Sequence, residues 1–335
     1  MGDHDHDRRF PVAVTGGGGF IGHALVVDQA RRGNRVRSLD INHSEPIPAD
    51  LANPPERIDG TILDPAILGR TFAGCRTVFH LASAHLEVRK GQEYYRSVNV
   101  DGTEHVLEAA AGAGVSRVIH VSSVGVYGQV PHQVYTEDSP TSPANRYERT
   151  KLEGEKAARK KAEALGLNLV IVRPSWVYGA GCRRTRKIFR AIRKRRFLMV
   201  GNGDIRRDGI YIDDCLEGLD LCARHDKAPG ELFLLVSGEA PALQEWVAKI
   251  AESQGVHPPR FRIPVLPMWF LGLGLEAAFK CIGKDAPFSR RSLRFFTNPT
   301  VFDSRKIRTL LGFEPKISFE EGIRLSAEEM RERGD

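Results

Sequence analysis

The feature that most constrains this chain is a glycine-rich turn near the N-terminus. A β-branched, strand-like run over residues 12–15 is followed by three regularly spaced glycines, Gly16, Gly19 and Gly22. Glycines with this spacing let the backbone turn tightly, approach a pyrophosphate and pack the next helix against the strand. The amides at the start of that helix, around Phe20 and Ile21, point at the phosphates together with the positive end of the helix dipole. The pattern predicts a dinucleotide-binding site.

A carboxylate at the end of the next predicted strand indicates which dinucleotide binds. That strand covers residues 35–40 and ends at Asp40, eighteen residues after Gly22. A carboxylate in this place accepts hydrogen bonds from the adenosine ribose of NAD and repels the 2′-phosphate of NADP. Arg37 would favour NADP, but it lies within the strand rather than after it. NAD is therefore the predicted cofactor, and no metal site is expected.

Short apolar runs alternate with helical patterns through the first half of the chain, which indicates a parallel sheet wrapped by helices. The predicted strands are residues 11–15, 35–40, 57–63, 77–82, 116–122 and 168–173. The predicted helices between them are residues 19–32, 94–113 and 145–165. The expected fold class is α/β, a Rossmann-type doubly wound parallel sheet with a smaller C-terminal substrate-binding lobe.

The pattern changes after Arg173, which suggests a division into domains. Residues 1–9 are polar and are expected to form a disordered leader. The expected NAD-binding domain covers residues 10–175, with residues 210–236 returning to it. The expected substrate-binding lobe combines residues 176–209 and 237–335.

Positive charge is concentrated in one segment. The chain of 335 residues carries a net charge of +7, and nine of the fifteen residues from 183 to 197 are Lys or Arg. Apolar residues recur there at helical spacing, which predicts an amphipathic helix. Its cationic side is either a solvated face or a wall that attracts a diphosphate or an anionic lipid headgroup. Because no aromatic stacking platform accompanies it, nucleic-acid binding is not expected.

The most apolar segment, residues 263–279, is shorter than the roughly 20 apolar residues that a spanning helix needs. A buried helix is the prediction, and a helix on a membrane surface is the alternative. The N-terminal residues have no apolar core like that of a secretory signal, and the five cysteines have no CxxC spacing. A reducing, cytoplasmic location is the expectation.

Three residues have the chemistry of a proton-transfer site. Tyr147 and Lys151 are four residues apart in a predicted helix, so they share one of its faces. A neighbouring ammonium stabilises a phenolate and is expected to lower the tyrosine pKa, so that the pair exchanges a proton with a hydroxyl. Ser123 follows the predicted strand at 116–122, where its hydroxyl can bind the same substrate oxygen.

Together these motifs resemble the extended short-chain dehydrogenase/reductase superfamily, the group that contains NAD-dependent epimerases and dehydratases. The resemblance rests on ordered motifs over nearly the whole chain, at residues 15–22, 78–83, 98–103, 121–128, 147–151, 173–179 and 207–214. The C-terminal part, from residue 264 onward, has features similar to those of 3β-hydroxysteroid dehydrogenases.

The resemblance implies roles for individual residues. Ser123, Tyr147 and Lys151 would be catalytic, with Lys151 also holding the nicotinamide ribose. The cofactor would be held by Gly16, Gly19, Phe20, Ile21, Gly22, Asp40, Asp64, Leu81, Ala82 and Ser83, together with Tyr147 and Lys151. Ser123 and Arg207 would contact substrate, and Asn99 would support the backbone near the site. Thr61 stands where the family commonly has an acidic residue facing the adenine, which leaves Asp64 as the nearest carboxylate.

The resemblance leaves two substrate classes open. Val124 and Gly125 occupy the positions of an Asp-Glu pair in sugar-nucleotide dehydratases, so a dehydratase is not expected. The leading prediction is an epimerase or oxidoreductase acting on a nucleoside-diphosphate sugar, with Arg207 on the diphosphate. The alternative is 3β-hydroxysteroid dehydrogenase-like oxidation of a sterol or isoprenoid alcohol. A remote third possibility is a catalytically silent NAD-binding regulator. A homodimer and peripheral membrane contact are further expectations.

Overall fold

A computed structural model describes residues 11–85, 90–128, 134–281 and 290–334. The expected leader, residues 1–9, therefore lies outside the described residues. The strands, in chain order, are β1 (Pro11–Thr15), β2 (Arg35–Asp40), β3 (Glu56–Asp59), β4 (Thr77–His80), β5 (Arg117–Val121), β6 (Leu169–Pro174), β7 (Trp176–Tyr178), β8 (Met199–Val200), β9 (Gly209–Tyr211), β10 (Leu232–Leu235) and β11 (Arg262–Ile263). Seven of them form one parallel sheet in the order β10, β6, β5, β4, β1, β2, β3.

The α-helices are α1 (Phe20–Arg31), α2 (Pro65–Phe72), α3 (Gln92–Arg96), α4 (Gly102–Gly112), α5 (Arg146–Leu165), α6 (Arg183–Arg193), α7 (Ile212–Arg224), α8 (Leu243–Ser253), α9 (Val265–Cys281), α10 (Arg290–Thr297), α11 (Arg305–Leu311) and α12 (Phe319–Glu332). A π-helical segment, Ser97–Asp101, joins α3 to α4, and a short 3₁₀ helix, Val124–Tyr127, follows β5.

The burial of the strands explains the layered architecture. Every residue of β4, β6 and β10 is buried, whereas β3 at the sheet edge is largely exposed. Strands that are covered by helices on both faces read as continuous apolar runs, because neither face meets water. The predicted α/β class with a doubly wound parallel sheet is confirmed. β10 joins the sheet beside β6, while the two-stranded pairs β7–β9 and β8–β11 lie outside it.

Most predicted element bounds agree with the structure to within two residues, and three differ more. The amphipathic helix predicted up to residue 197 ends at Arg193. The predicted strand at residues 57–63 ends at Asp59, because the chain turns at Gly60 and Asp64 then begins α2. The predicted helix at residues 94–113 is divided by the π-helical segment.

The prediction that residues 263–279 form a buried helix is wrong. This segment is α9, and Leu266 and Phe270 are 65% and 59% exposed. The helix contacts α10, but the sheet does not cover it. In the described part of the chain, no helix is long and apolar enough to cross a membrane.

A buried ion pair ties helix α5 to the sheet. Arg173 on β6 donates two hydrogen bonds to Glu155 on α5, at 2.9 and 2.6 Å, and both side chains are almost fully buried. Ser122 donates to the same carboxylate, and Arg173 also donates to the Tyr127 hydroxyl at 2.7 Å. Because buried charges must be paired, this network fixes α5 in register with β5 and β6.

The ion pair makes a stability prediction. Arg173→Met leaves the Glu155 carboxylate buried without its partner, so the free energy of unfolding should fall by about 3–5 kcal/mol. The double variant E155L/R173M removes both charges and should recover most of the loss. Denaturant unfolding followed by tryptophan fluorescence measures the difference. A single variant as stable as the wild type would contradict the assignment.

Candidate active site

The turn after β1 brings backbone against backbone. Gly16 has a φ of +75°, in the left-handed region, and a Cβ built on it would lie 2.6 Å from the Ala82 amide nitrogen. A Cβ on Gly22 would overlap the carbonyl oxygen of Gly16. These contacts leave no space for a larger side chain and hold the start of α1 against the carboxyl ends of β1 and β4. The three predicted glycines therefore meet as the sequence analysis expected.

The two intervening glycines are also required, which the sequence analysis missed. A Cβ on Gly17 would overlap the Ser38 hydroxyl, and one on Gly18 would overlap the carbonyl oxygen of Asn42. Both neighbours come from β2 and the loop after it. The uninterrupted run of four glycines was the available signal, but only the folded loop shows why each is needed.

The start of α1 is open to an anion. Its N-cap is Gly19, and in the described part of the chain no side chain caps the amides that follow. Helix N-terminal amides without an internal acceptor form a ready site for phosphate. Phe20 and Ile21 belong to this first turn.

Asp40 lies directly beside the glycine turn. Its carboxylate accepts hydrogen bonds from the Gly18 amide at 2.9 Å and from the Asn42 amide at 3.1 Å. The carboxylate is thereby held at the edge of the turn, at the carboxyl end of β2, where an adenosine ribose would lie.

Asp64 has a structural role at the start of α2. Its side chain accepts hydrogen bonds from the Ala66 and Ile67 amides at 2.9 and 3.3 Å and so caps α2. Its predicted contact with the cofactor stays a prediction.

The loop after β4 is braced by Asn99. The Leu81 amide donates to the Thr15 carbonyl at 3.0 Å, and the Ser83 hydroxyl donates to the Asn99 side-chain oxygen at 3.1 Å. The Asn99 amide group in turn donates to Thr150 on α5 at 2.9 Å. Asn99 is buried in the π-helical segment and links the loop at 81–83 to the helix that carries Tyr147, as expected for a supporting residue.

Ser123 and Tyr147 lie together beside the carboxyl end of β5. Ser123 begins the 3₁₀ helix, and its hydroxyl accepts a hydrogen bond from the Gly125 amide at 3.0 Å. Burial raises the pKa of Tyr147 to about 12, and a hydrogen bond with Ser123 acts in the opposite direction. The ring of His85 packs on the Tyr147 ring with centroids 4.5 Å apart. His85 is a site neighbour that the sequence analysis did not identify.

The predicted lowering of the Tyr147 pKa by Lys151 is wrong, since burial raises that pKa. Lys151 lies one turn further along α5, but its ammonium donates to the Val121 carbonyl at 2.7 Å, at the end of β5. Lys151 is buried, and burial lowers its pKa to about 8, against the opposing effect of Glu155. The burial of the phenol therefore outweighs the nearby ammonium.

Two arginines flank an aromatic wall in the C-terminal part. The guanidinium of Arg207 lies 4.8 Å from the ring centroid of Phe295, and that of Arg184 lies 5.1 Å from the same ring. Arg184 also covers the ring of Trp176 at 5.3 Å. Burial and the neighbouring charge of Arg184 lower the pKa of Arg207 to about 9. The two cations thus repel each other across Phe295.

Arg207 has hydrogen-bonding capacity to spare. One of its terminal nitrogens donates to the carbonyls of Phe295 and Asn298, at 3.0 and 3.1 Å. Its buried Nε has no partner in the described structure. The family resemblance implies a substrate contact for Arg207, whereas in the sequence Arg184 is one of nine Lys and Arg residues between 183 and 197. An unneutralised pair of guanidiniums is suited to a dianion.

Comparison with known proteins identifies what this arrangement resembles. The model of the NAD dependent epimerase/dehydratase family matches residues 12–235. The chain is 27% identical over 348 residues to 3beta-hydroxysteroid-dehydrogenase/decarboxylase isoform 1 of Arabidopsis thaliana, covering 93% of this chain and 77% of that protein.

Two further comparisons relate the chain to sugar-modifying enzymes. It is 27% identical to an N-acetyl-alpha-D-glucosaminyl-diphospho-ditrans,octacis-undecaprenol 4-epimerase of Escherichia coli O157:H7, with 93% of this chain and 92% of that protein covered. The solved structure of MoeE5 in complex with UDP-glucuronic acid and NAD is 27% identical and has a TM-score of 0.76, with 96% and 99% coverage. The predicted resemblance, the Rossmann-type fold and the dependence on NAD are confirmed.

The position of Asp40 predicts that the site binds NADH in preference to NADPH. Asp40→Asn keeps an acceptor for the Gly18 amide but removes the charge, so binding of NADH should weaken by about 10- to 100-fold. NADPH should bind more tightly than it does to the wild type, because the repulsion of its 2′-phosphate is removed. Titration of cofactor fluorescence measures both constants. Asp50→Asn, at an exposed position, is the control. A wild type that prefers NADPH would refute the assignment.

Lys151 makes a prediction about stability and pH. Its folded pKa near 8 lies below the ordinary value of 10.5. Between these values the unfolded chain holds the proton and the folded chain does not, so raising the pH favours folding. Relative to Lys151→Met, the wild type should gain about 2–3 kcal/mol of stability across that window.

Denaturant unfolding at several pH values tests this difference. Lys156→Met is the matched control, because Lys156 is exposed on the same helix. If the wild type and K151M changed in parallel with pH, Lys151 would not have the depressed pKa that its burial implies.

Proposed function

Because this chain belongs to the NAD-dependent epimerase/dehydratase family, we propose that it transfers hydride between NAD and a secondary hydroxyl of a nucleoside-diphosphate sugar. The observation that carries the proposal is the pairing of Ser123 with Tyr147 beside the glycine turn, with Lys151 buried one helical turn away. Proton-transfer groups and a dinucleotide cradle lie at the same edge of the sheet, where ligands of open α/β folds bind.

The residues of the turn fit a bound NAD. Side chains at Gly16, Gly17, Gly18 or Gly22 would collide with neighbouring protein atoms, so only glycine allows the tight turn that lets a pyrophosphate approach the backbone. The uncapped start of α1 supplies amides, and Asp40 supplies an acceptor for ribose hydroxyls. NAD would supply the position that accepts and returns the hydride.

The proposed catalytic steps belong to this chain's own side chains. Ser123 would hold the substrate hydroxyl, and Tyr147 would take its proton as hydride leaves the carbinol carbon. Because burial raises the pKa of Tyr147 in the absence of ligands, positive charge brought by cofactor and Lys151 would have to stabilise the phenolate. Return of hydride to the opposite face of the ketone would give an epimer. Release of the ketone would give a dehydrogenase.

The two arginines favour the sugar nucleotide as substrate. The guanidiniums of Arg184 and Arg207 both lie over the ring of Phe295, and the charge of Arg184 helps to lower the pKa of Arg207. A diphosphate carries two negative charges and can accept from both guanidiniums. We therefore assign the diphosphate of the substrate to this arginine pair.

A second candidate is 3β-hydroxysteroid dehydrogenase-like oxidation of a sterol or isoprenoid alcohol. It is favoured by the similarity to the Arabidopsis 3beta-hydroxysteroid-dehydrogenase/decarboxylase and by the apolar surface of α9. The silent regulator is the remote third candidate. The proposed assembly is a cytoplasmic homodimer with peripheral membrane contact. The proposed NAD-binding domain remains residues 10–175 together with 210–236, and the proposed substrate-binding lobe remains residues 176–209 together with 237–335.

Product analysis separates the candidates. The chain is incubated with NAD and UDP-hexoses, dTDP-hexoses or 3β-hydroxysteroids, while absorbance at 340 nm follows NADH and NMR identifies products. An epimer without net NADH supports the proposal. NADH formed from a sterol supports the second candidate. Tyr147→Phe should bind NAD but lose activity by about 10²-fold or more. A biological effect that is unchanged in that variant would indicate the regulator.

Arg184 provides a prediction that distinguishes the substrate classes. Arg184→Leu should raise KM for a sugar nucleotide by about tenfold or more, because a charge-assisted hydrogen bond to the diphosphate is lost. Steady-state kinetics measure the change, and Lys187→Leu, exposed on the same helix, is the control. An unchanged KM for the sugar nucleotide would contradict the assignment of the diphosphate.

A further inference from the structure

The apolar face of α9 is turned toward solvent. Four large residues recur at helical spacing and are exposed, namely Leu266, Trp269, Phe270 and Leu273, with exposed fractions of 65%, 38%, 59% and 38%. Residues at i, i+3, i+4 and i+7 form one stripe along a helix. In a soluble protein such a stripe normally faces the core. Here all four side chains are instead partly or largely exposed.

The stripe is part of a larger exposed patch. Phe261, immediately before β11, is 85% exposed, and Leu198, immediately before β8, is 53% exposed. β8 and β11 pair with each other, with Met199 opposite Arg262, so these two side chains belong to neighbouring strands at the start of α9. Six of the eleven large hydrophobic residues that are exposed in the described structure fall between residues 261 and 273. This concentration marks an interaction surface rather than scattered exposure.

Exposed basic residues border the patch. Lys194, Arg195 and Arg196 are exposed in the turn after α6, which leads directly into Leu198 and β8. Arg260 and Arg262 are exposed on either side of Phe261. The sequence contains no Asp or Glu between residues 183 and 203 or between residues 253 and 275. The apolar stripe therefore has a cationic border.

We propose that α9 and its cationic border form a docking surface for an anionic lipid bilayer, with the helix lying in the plane of the interface. Leu266, Trp269, Phe270 and Leu273 would enter the boundary between headgroups and acyl chains. The basic residues before β8 and around Phe261 would contact anionic headgroups. α9 has 17 residues, and no described helix is long and apolar enough to cross the bilayer, so the contact is peripheral.

The charge pattern favours a bilayer over a second copy of this chain. A two-fold symmetric contact places the same patch on both subunits, so the basic borders would face each other and repel. An anionic bilayer complements both parts of the surface at once. The proposal concerns a surface outside the catalytic site and does not depend on which substrate is used.

Flotation with lipid vesicles tests the proposal on the full chain. The protein should float with vesicles of phosphatidylcholine and phosphatidylglycerol, much less with phosphatidylcholine alone, and less as salt is raised. The double variant L266E/F270E should lower the bound fraction by about tenfold or more, because two apolar contacts are replaced by charges. Leu165→Glu, at an exposed apolar position at the end of α5, should bind like the wild type.

Tryptophan fluorescence gives a second measurement that does not depend on the charged variants. Trp269 lies in the stripe, whereas Trp246 is only 2% exposed. Anionic vesicles should shift the wild-type emission to shorter wavelength, and Trp269→Phe should abolish the shift while thermal unfolding and NAD binding stay unchanged. A wild type that does not bind anionic vesicles overturns the proposal. So does a dimer in size-exclusion chromatography that L266E/F270E dissociates, since a second copy would then cover the stripe.

Discussion

The close approach of backbones at the glycine turn is the constraint on which the rest of the site depends. Gly16 lies against the Ala82 amide, and Gly22 lies against the carbonyl of Gly16, so that β1, the loop after β4 and the start of α1 share one small volume. No side chain fits between them. This contact places the amides of α1, the carboxylate of Asp40 and the loop at 81–83 at a single edge of the sheet, and the proposed catalytic residues Ser123, which follows β5, and Tyr147, on α5, lie at the same edge.

A cluster of buried charged residues lies next to the candidate site. Lys151, Glu155 and Arg173 are buried within a short span of α5 and β6, and the paired carboxylate offsets part of the cost of the two cations. Burial and the charge of Lys151 lower the pKa of His80 to about 3, and they lower that of His120 well below its usual value. Both imidazoles are therefore neutral, and they add no further positive charge beside Lys151.

His80 also shows how polar groups are organised beneath the turn. Its Nδ1 lies 2.7 Å from the Thr15 hydroxyl, and its Nε2 lies 3.0 Å from the Thr103 hydroxyl, which itself donates to the Asn99 carbonyl. Thr103 must then accept from Nε2, so Thr15 donates to Nδ1. This series of hydrogen bonds connects β1 to the π-helical segment that braces the loop at 81–83. The strand, the turn and the supporting Asn99 are therefore held together.

The C-terminal part connects two different surfaces. α10 carries Phe295, which contacts the arginine pair, and it packs against α9, which carries the exposed stripe. The diphosphate assigned to the arginine pair and the bilayer assigned to α9 thus involve two helices that contact each other. Each proposed surface includes positive charge from the segment at residues 183–196, because Arg184 lies over Phe295 and Lys194, Arg195 and Arg196 are exposed before β8.

The sequence by itself determined the fold class and the chemical identity of the site, because these follow from local rules. Glycine spacing specifies a turn, Asp40 ends a strand, and Tyr147 and Lys151 share a helical face whatever else the chain does. The tertiary structure alone decided how those groups are tuned. The Tyr147 pKa rises instead of falling because the phenol is buried, and that burial depends on residues distant in sequence. The exposure of α9 and the meeting of Arg184 with Arg207 have the same origin. An apolar run predicts that one face of a helix will be covered by other apolar groups. Only the tertiary packing determines whether the rest of the chain covers that face.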